Sequence, residues 1–420
     1  MRLLVTERLS DGTTRKRVYN NETNEVFDTN GNLIDLPSQI GVERKSSVQS
    51  KYPSVVRYKG KDKDLSMLRI QLGMKCNMRC AYCSQHARAE DFVSNPRLVK
   101  TFVEKLSANG ITAGEVQFWG GEPLVYWKTL KELIPAIREL MPEAKFSMIT
   151  NGSLLTDEII DFLESYGFSI TISHDGPGQF LRGEDPLNDP DRVRIYKEAE
   201  RRLDMRFNVV LSPANVDVKN IAAYFKKRMG ENTHINFEGV MTHLGVKEGI
   251  GFNDEQIQRL SMNLFNAFLD PETRDIFPSQ TAKFTYLREK LIHRLPIAPL
   301  ASKCAMPSPK CMVVNLNGDV LSCTNYATRD HIVGSISAVS AVDLSGKFTP
   351  WSQREECRRC LVLQVCRGAC PQIEGEYRAM TCRNEFWFAL AIFQSAWHSL
   401  FGSVVTSVSE YDVEAGGDNG

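Results

Sequence analysis

Three cysteines within eight residues constrain this chain more than any other feature. Cys76, Cys80 and Cys83 stand in KCNMRCAYCSQ at a CxxxCxxC spacing, directly after an apolar run, Met67 to Leu72. That run predicts a strand, and the cysteines then fall on the loop at its end. Three thiolates so close together can hold one face of a [4Fe–4S] cube. Such clusters normally take four cysteines. With three, one iron lacks a protein ligand and is open to a small molecule, as in an open catalytic metal site rather than a closed structural one. The alternative is a zinc knuckle completed by His86. A disulfide is weaker still, because three is an odd number.

The remaining cysteines sharpen this. Of eleven, none lies between 84 and 303 and eight lie between 304 and 382. Charges at Arg2, Glu7 and Arg8 break any signal-peptide core, so a cytoplasmic location is expected. Thiols there serve as metal ligands or redox groups more often than as disulfides. Lys and Arg total 51, as do Asp and Glu, so the net charge is zero. Bulk charge therefore offers no nucleic-acid or membrane surface. No apolar run approaches the ~20 residues of a membrane helix.

The 420 residues suffice for about two to three domains. Residues 1–65 predict a small β-rich leader, with short runs at Arg17–Tyr19, Glu25–Phe27 and Leu33–Ile34 and a hairpin signal at Asn30-Gly31. It lacks the helical periodicity of a winged-helix peptide-recognition domain and is expected to cap the main body as a sheet. From 66 to 270, strand and helix alternate. Predicted strands are Met67–Leu72, Glu115–Trp119, Lys145–Ile149, Phe168–Ile172, Met205–Leu211 and His234–Glu238. Between them come helices at Pro96–Ala108, Trp127–Leu140, Thr156–Tyr166, Asp191–Leu203 and Val218–Met229, and Asn253 opens another. Six such units imply a parallel sheet with right-handed crossovers, too few for a full eightfold barrel. Residues 271–303 predict a connection with one helix, Thr281–His293. Residues 304–400 form a cysteine-rich domain ending in a helix from 383 to 400. Residues 401–420 are polar and expected to be disordered.

Sequence elements fall at the ends of successive strands, where α/β folds place their sites. Gly120-Gly121-Glu122-Pro123 follows the second strand, Thr150-Asn151-Gly152 the third, and Ser173-His174-Asp175-Gly176-Pro177 the fourth. Glycines let the backbone approach a partner closely, and a carboxylate pairs with an ammonium. An Asp before Gly-Pro is as often only a turn residue. A buried histidine is more often satisfied in a core than functional.

The CxxxCxxC loop resembles that of the radical S-adenosylmethionine (SAM) superfamily, including the aromatic Tyr82 before the last cysteine. In that family the open iron binds the amine and carboxylate of SAM. The resemblance implies an α/β fold with a partial (β/α)6 barrel. It implies SAM contacts for Gly120, Gly121, Glu122, Ser173, Asn151 and Tyr82, and catalytic candidacy for Asp175 and His174. The C-terminal block, Cys304, Cys311, Cys323, then Cys357-x2-Cys360-x5-Cys366-x3-Cys370 and Cys382, resembles the SPASM domain. That likeness implies two auxiliary [4Fe–4S] clusters, one on Cys304, Cys311, Cys323 and Cys370, the other on Cys357, Cys360, Cys366 and Cys382. The alternative is a pair of structural zinc sites. With SAM and three clusters, the branch acts mostly on peptides and proteins.

The function this implies is reductive cleavage of SAM to a 5′-deoxyadenosyl radical that takes hydrogen from a residue of a ribosomally made precursor peptide. Crosslinking (cyclophane, thioether or ether) is the expected outcome, with flavodoxin or ferredoxin as reductant. In sulfatase maturases an aspartate follows the cysteine at the position of Cys323. Here Thr324 stands there, with Asp175 or Tyr326 as possible substitutes, so formylglycine formation is the second reading. A small-molecule radical enzyme and a non-catalytic metal scaffold are the others.

Overall fold

A computed structural model describes residues 1–36, 57–85, 92–231, 233–240 and 250–411. His86 lies outside them. Three strands open the chain: β1 (Arg2–Leu9), β2 (Thr14–Asn20) and β3 (Val26–Phe27). The alternating region carries β4 (Asp64–Gln71), β5 (Thr112–Trp119), β6 (Lys145–Thr150), β7 (Phe168–Ser173), β8 (Asp204–Leu211) and β9 (Ile235–Val240). The cysteine-rich region adds β10 (Cys311–Val314), β11 (Asp319–Leu321) and β12 (Ile332–Ser335), and the last strand is β13 (Ser403–Glu410).

Strands β4 to β9 lie side by side in chain order, all parallel. Helices α1 (Val99–Ala108), α2 (Trp127–Leu140), α3 (Asp157–Ser165), α4 (Pro190–Arg202) and α5 (Val218–Met229) make the crossovers. Alternating side chains of these strands, such as Val116, Phe118, Phe146, Met148, Phe207 and Val209, are fully or almost fully buried, the pattern of a sheet covered by helices. The sheet ends at β9 without closing, so the α/β partial barrel of six units is what forms. Local chemistry sets the helix starts. Thr156 Oγ1 accepts from the Ile159 amide, and Asn253 shares a capping box with Gln256 at the start of α6 (Asp254–Leu269).

The cysteine-rich region continues this sheet rather than standing apart from it. Strand β10 pairs in parallel with β4, Cys311 opposite Met67 and Val314 opposite Ile70, and β11 and β12 extend the edge antiparallel. The connection before it holds two helices, α7 (Pro271–Ile276) and α8 (Pro278–Ile292), where one was expected. Short helices α9 (Glu355–Arg358) and α10 (Leu363–Cys366) precede α11 (Glu376–Phe401). The last helix starts seven residues before the expected 383 and packs against α6 and α8.

Two expectations fail at the termini. The N-terminal sheet does not cap the barrel; it braces the cysteine-rich region. Tyr19 packs on Phe393 and Trp397 of α11, and Asn21 Nδ2 donates to the carbonyls of Arg358 and Cys360, both at 2.8 Å. Nor is the polar tail disordered from 401. Ser403–Glu410 form β13, antiparallel to β1. Ser403 Oγ donates to the fully buried Glu7 carboxylate at 2.7 Å, beside Arg15 and Arg17. Gln394 exchanges two hydrogen bonds with the Val405 backbone. Gly402, in the left-handed region at φ 65°, ends α11 and turns the chain into this strand.

Candidate active site at the strand ends

The cysteine loop after β4 is gripped by the loops that end β5, β6 and β7. The Gly121 amide donates to Gly73 O and the Glu122 amide to Lys75 O, each at 2.9 Å. A Cβ on Gly121 would sit 2.3 Å from Met74 O and 2.6 Å from Lys75 O. The glycine is therefore needed for approach to the cysteine loop's own backbone. From the β6 loop, Asn151 Nδ2 donates to Asn77 Oδ1 at 2.9 Å and reaches Cys76 Sγ at 3.9 Å, and Asn77 donates to Ser153 Oγ at 2.8 Å. From the β7 loop, Leu181 O accepts from the Ala81 amide at 2.7 Å.

Three candidate residues prove to be ties rather than open groups. Glu122 is 1% exposed, and its carboxylate accepts from Leu124 N at 3.0 Å, Thr150 Oγ1 at 2.7 Å and Asn151 N at 2.6 Å. Burial raises its pKa while those donors oppose the rise. Asp175 is fully buried, accepting from the Tyr82 hydroxyl and from Val210 N at 3.0 Å. Tyr82 in turn accepts from Arg182 Nη1 at 2.8 Å. Asp175 thus offers no exposed oxygen to act as a base, and burial pushes its carboxyl up against the pull of Arg182. Tyr82 is committed to this triad and serves as an anchor of the loop.

His174 is a satisfied core histidine. Its Nδ1 accepts from the Gly176 amide at 3.0 Å, so Nε2 carries the proton and faces Asp185 Oδ1 at 3.0 Å. Phe207, Tyr224 and Phe225 surround the ring, and burial lowers its pKa. Ser173 sits half-buried at the end of β7. Sequence reasoning missed Arg182. It follows the short 3-10 stretch Gly176–Leu181, and a lone arginine in a loop has no spacing to announce it. Thr150 and Tyr126 were missed likewise; Tyr126 Oη accepts from the Lys75 amide at 2.9 Å.

All eleven thiols are free of disulfides. Cys76, Cys80 and Cys83 are each partly exposed and close enough to influence one another. Burial pushes Cys80 up to about 11, with Cys83, Asp175 and Cys76 adding and Arg182 opposing. Among the described residues, no three His, Cys, Asp or Glu side chains converge tightly enough to hold one metal ion. A cluster places each thiolate on a separate iron and does not need that convergence. Cys76, Cys80 and Cys83 are the residues of this loop that could hold such a cluster.

The other eight fall into two groups. Burial pushes the Cys304 thiol up to about 12, with Cys323, Cys370 and Cys311 acting in the same direction. Cys357, Cys360, Cys366 and Cys382 line one small cavity of about 20 Å³ together with Arg378 and Phe386. Burial likewise pushes Cys360 up to about 12, reinforced by Cys382 and Cys357. The two regions meet where Gln85 Nε2 donates to Asn325 Oδ1 at 2.9 Å. Beside it, Thr324 is buried and Tyr326 stacks on His331 with centroids 3.4 Å apart.

The strand-end loops of an open parallel α/β sheet thus enclose the CxxxCxxC loop. Residues 70–182 match the Radical SAM superfamily. The radical SAM cyclopropyl synthase TigE of Paramaledivibacter caminithermalis is 24% identical over 343 residues, covering 74% of this chain and 69% of that one. The serine-type anaerobic sulfatase-maturating enzyme of Klebsiella aerogenes is 23% identical, over 71% of this chain and 78% of that one. Among solved structures, native anSMEcpe with bound AdoMet and Cp18Cys peptide shares the fold at TM-score 0.56 and 18% identity, over 79% of this chain and 98% of that one. Residues 70–182 thus carry a Radical SAM match, and the chain is an enzyme similar over most of its length to radical SAM enzymes. Among the described residues no helix is long and apolar enough to cross a membrane.

Proposed function

We propose that this enzyme takes a hydrogen atom from a residue of a ribosomally made precursor peptide and that a crosslink (cyclophane, thioether or ether) results. Cys76, Cys80 and Cys83 hold the SAM cluster. Cys304, Cys311, Cys323 and Cys370 hold one auxiliary [4Fe–4S] cluster, and Cys357, Cys360, Cys366 and Cys382 the other. When bound, these clusters supply the electron that cleaves SAM to the 5′-deoxyadenosyl radical and accept the electron released on bond formation. Gly120, Gly121, Ser173 and Asn151 line the SAM side of the loop. Glu122, Tyr82, Asp175 and Arg182 hold that loop in place from beneath. A flavodoxin or ferredoxin is the reductant.

The observation that carries this assignment is the division of the eight C-terminal thiols into two groups of four. Two fully ligated clusters leave no open iron to bind substrate, which suits electron acceptors for a substrate radical. Relatives named for sulfatase maturation favour a second reading, formylglycine formation. Against it, Thr324 stands in place of the expected aspartate, Asp175 is sealed in a buried triad, and Tyr326 is stacked on His331.

The test is the reconstituted enzyme with SAM, dithionite and a precursor peptide encoded beside its gene. Fragmentation mass spectrometry of the product should show loss of two hydrogens and no cleavage between the bridged residues. SAM cleavage with no peptide change would overturn the peptide reading. Conversion of Ser or Cys to formylglycine in a sulfatase peptide would replace it with the second.

A further inference from the structure

The cavity lined by Cys357, Cys360, Cys366 and Cys382 contains a buried cation. Arg378, in the first turn of α11, is 9% exposed, and its Nη2 donates to Cys357 Sγ at 3.3 Å. Three other cysteines receive backbone amides. Cys76 receives the Met78 amide at 3.3 Å, Cys304 the Met306 amide at 3.5 Å, and Cys323 the Asn325 amide at 3.4 Å. Near the Cys304 group, Arg69 and Lys61 act on Cys311 through charge, but Lys61 Nζ donates to the carbonyls of Met306 and Ser308 rather than to sulfur. In the group beneath α11 a guanidinium bonds directly to a thiol.

The backbone holds Arg378 in this place. Cys366 and Cys370 belong to different groups, and the three residues between them all take positive φ: Arg367 at 49°, Gly368 at 83° and Ala369 at 54°. Two of these are not glycine, which makes the conformation costly. The turn is clamped at Gly368 O, which accepts from Arg378 Nη1 at 2.7 Å and from Arg354 Nη1 at 3.3 Å. Arg354, 5% exposed, also donates to Pro371 O and pairs with Glu374. Glu356, half-exposed, also pairs with Arg378 Nη2 at 3.4 Å and offsets part of its charge. One arginine therefore fixes the left-handed link between the two groups and places a positive charge on a sulfur of one.

We propose that Arg378 is a positioning residue that raises the reduction potential of the cluster held by Cys357, Cys360, Cys366 and Cys382 relative to that held by Cys304, Cys311, Cys323 and Cys370. Hydrogen bonds to sulfur and nearby charge are the protein's levers on such potentials. Reduction adds negative charge, which a desolvated guanidinium stabilises. The cluster beneath α11 is then the electron sink of the pair. The inference rests on the assignment of [4Fe–4S] clusters to these thiols.

The test is an EPR-monitored redox titration of the reconstituted full chain with Cys76, Cys80 and Cys83 replaced by Ala, so that only auxiliary signals remain. It compares this protein with the same chain carrying Arg378→Gln or Arg378→Lys. The expected result is that Arg378→Gln keeps its iron and makes one cluster about tenfold harder to reduce, ~59 mV for one electron. The other cluster should not move. Arg378→Lys, which keeps charge but loses the fork, should shift the same signal less. If Arg378→Gln loses iron, the Lys variant decides, and a potential unchanged in it overturns the proposal. Unchanged potentials in both variants at full iron overturn it as well. A parent chain with zinc in place of about eight irons fails differently, because the cluster assignment itself then falls.

Discussion

The loop of Cys76, Cys80 and Cys83 and the cysteine-rich region solve the same problem, holding thiols in place, by different means. In the first, three partly exposed thiols sit on one short loop that carries little support of its own. Its geometry comes from neighbouring strand ends: the Glu122 amide, the Tyr82–Asp175–Arg182 triad and the Gly121 backbone. In the second, the two proposed groups interleave over 304–382, so that assembling one would fold the chain around the other. A site that admits a small molecule must leave part of its loop bare, and the support then has to come from below. A site that exchanges only electrons can be closed over.

Substitutions at the two regions should therefore fail in different ways. The largest effect is expected for Cys80→Ala. It should abolish SAM cleavage while about eight of about twelve irons per chain remain. SAM cleavage that survives it would falsify the placement of the SAM cluster on this loop.

Next comes Asp175→Asn, which strips Arg182 of its buried counter-charge and should cost about 3 kcal/mol in denaturant unfolding. SAM cleavage per assembled SAM cluster should stay near normal. Loss of peptide modification at full iron content and normal SAM cleavage would return Asp175 to the role of a catalytic base.

Gly121→Ala pushes a methyl group into Met74 O and Lys75 O. It should cost about 2 kcal/mol and lower the iron of the SAM cluster alone. An equal loss of auxiliary iron would show that the two regions do not fail independently.

The smallest effect concerns pH. Burial lowers the His174 pKa below its ordinary value. The unfolded chain therefore binds a proton there before the folded one does, and stability falls as pH drops below about 6.5. His174→Gln should flatten that part of the stability profile and leave activity at neutral pH unchanged. A slope that persists in the variant would place its origin elsewhere.

Much of the fold is legible where the signal is local. Trp127–Leu140 shows its apolar face in every turn and stops before Pro142, and α2 has those bounds. Strands β4 to β8 are short apolar runs bounded by turn residues, and each forms within a few positions of its prediction. The site is legible in the same measure. CxxxCxxC and the glycine pair stand out by spacing, whereas Arg182 and Arg378 are single arginines that no motif spacing ties to their partners Tyr82 and Cys357. His174 and Asp175 invite a catalytic reading in sequence because burial is invisible there; the structure seals both with hydrogen bonds.

The sequence by itself determined the order of strands and helices, the radical SAM motif and the supply of thiols, because each is written in residues close together. Tertiary structure alone decided three other matters. It joined β10 to β4, binding the cysteine-rich region into the catalytic sheet. It paired β13 with β1 across almost the whole chain, giving order to a tail whose composition argued for none. And it buried Glu122 and Tyr82, candidate SAM contacts, and Asp175, a candidate catalytic residue, among hydrogen-bond partners beside the cysteine loop. Those outcomes depend on which distant edges and buried charges meet, and a strand edge or a carboxylate carries no mark in sequence of the partner that will satisfy it.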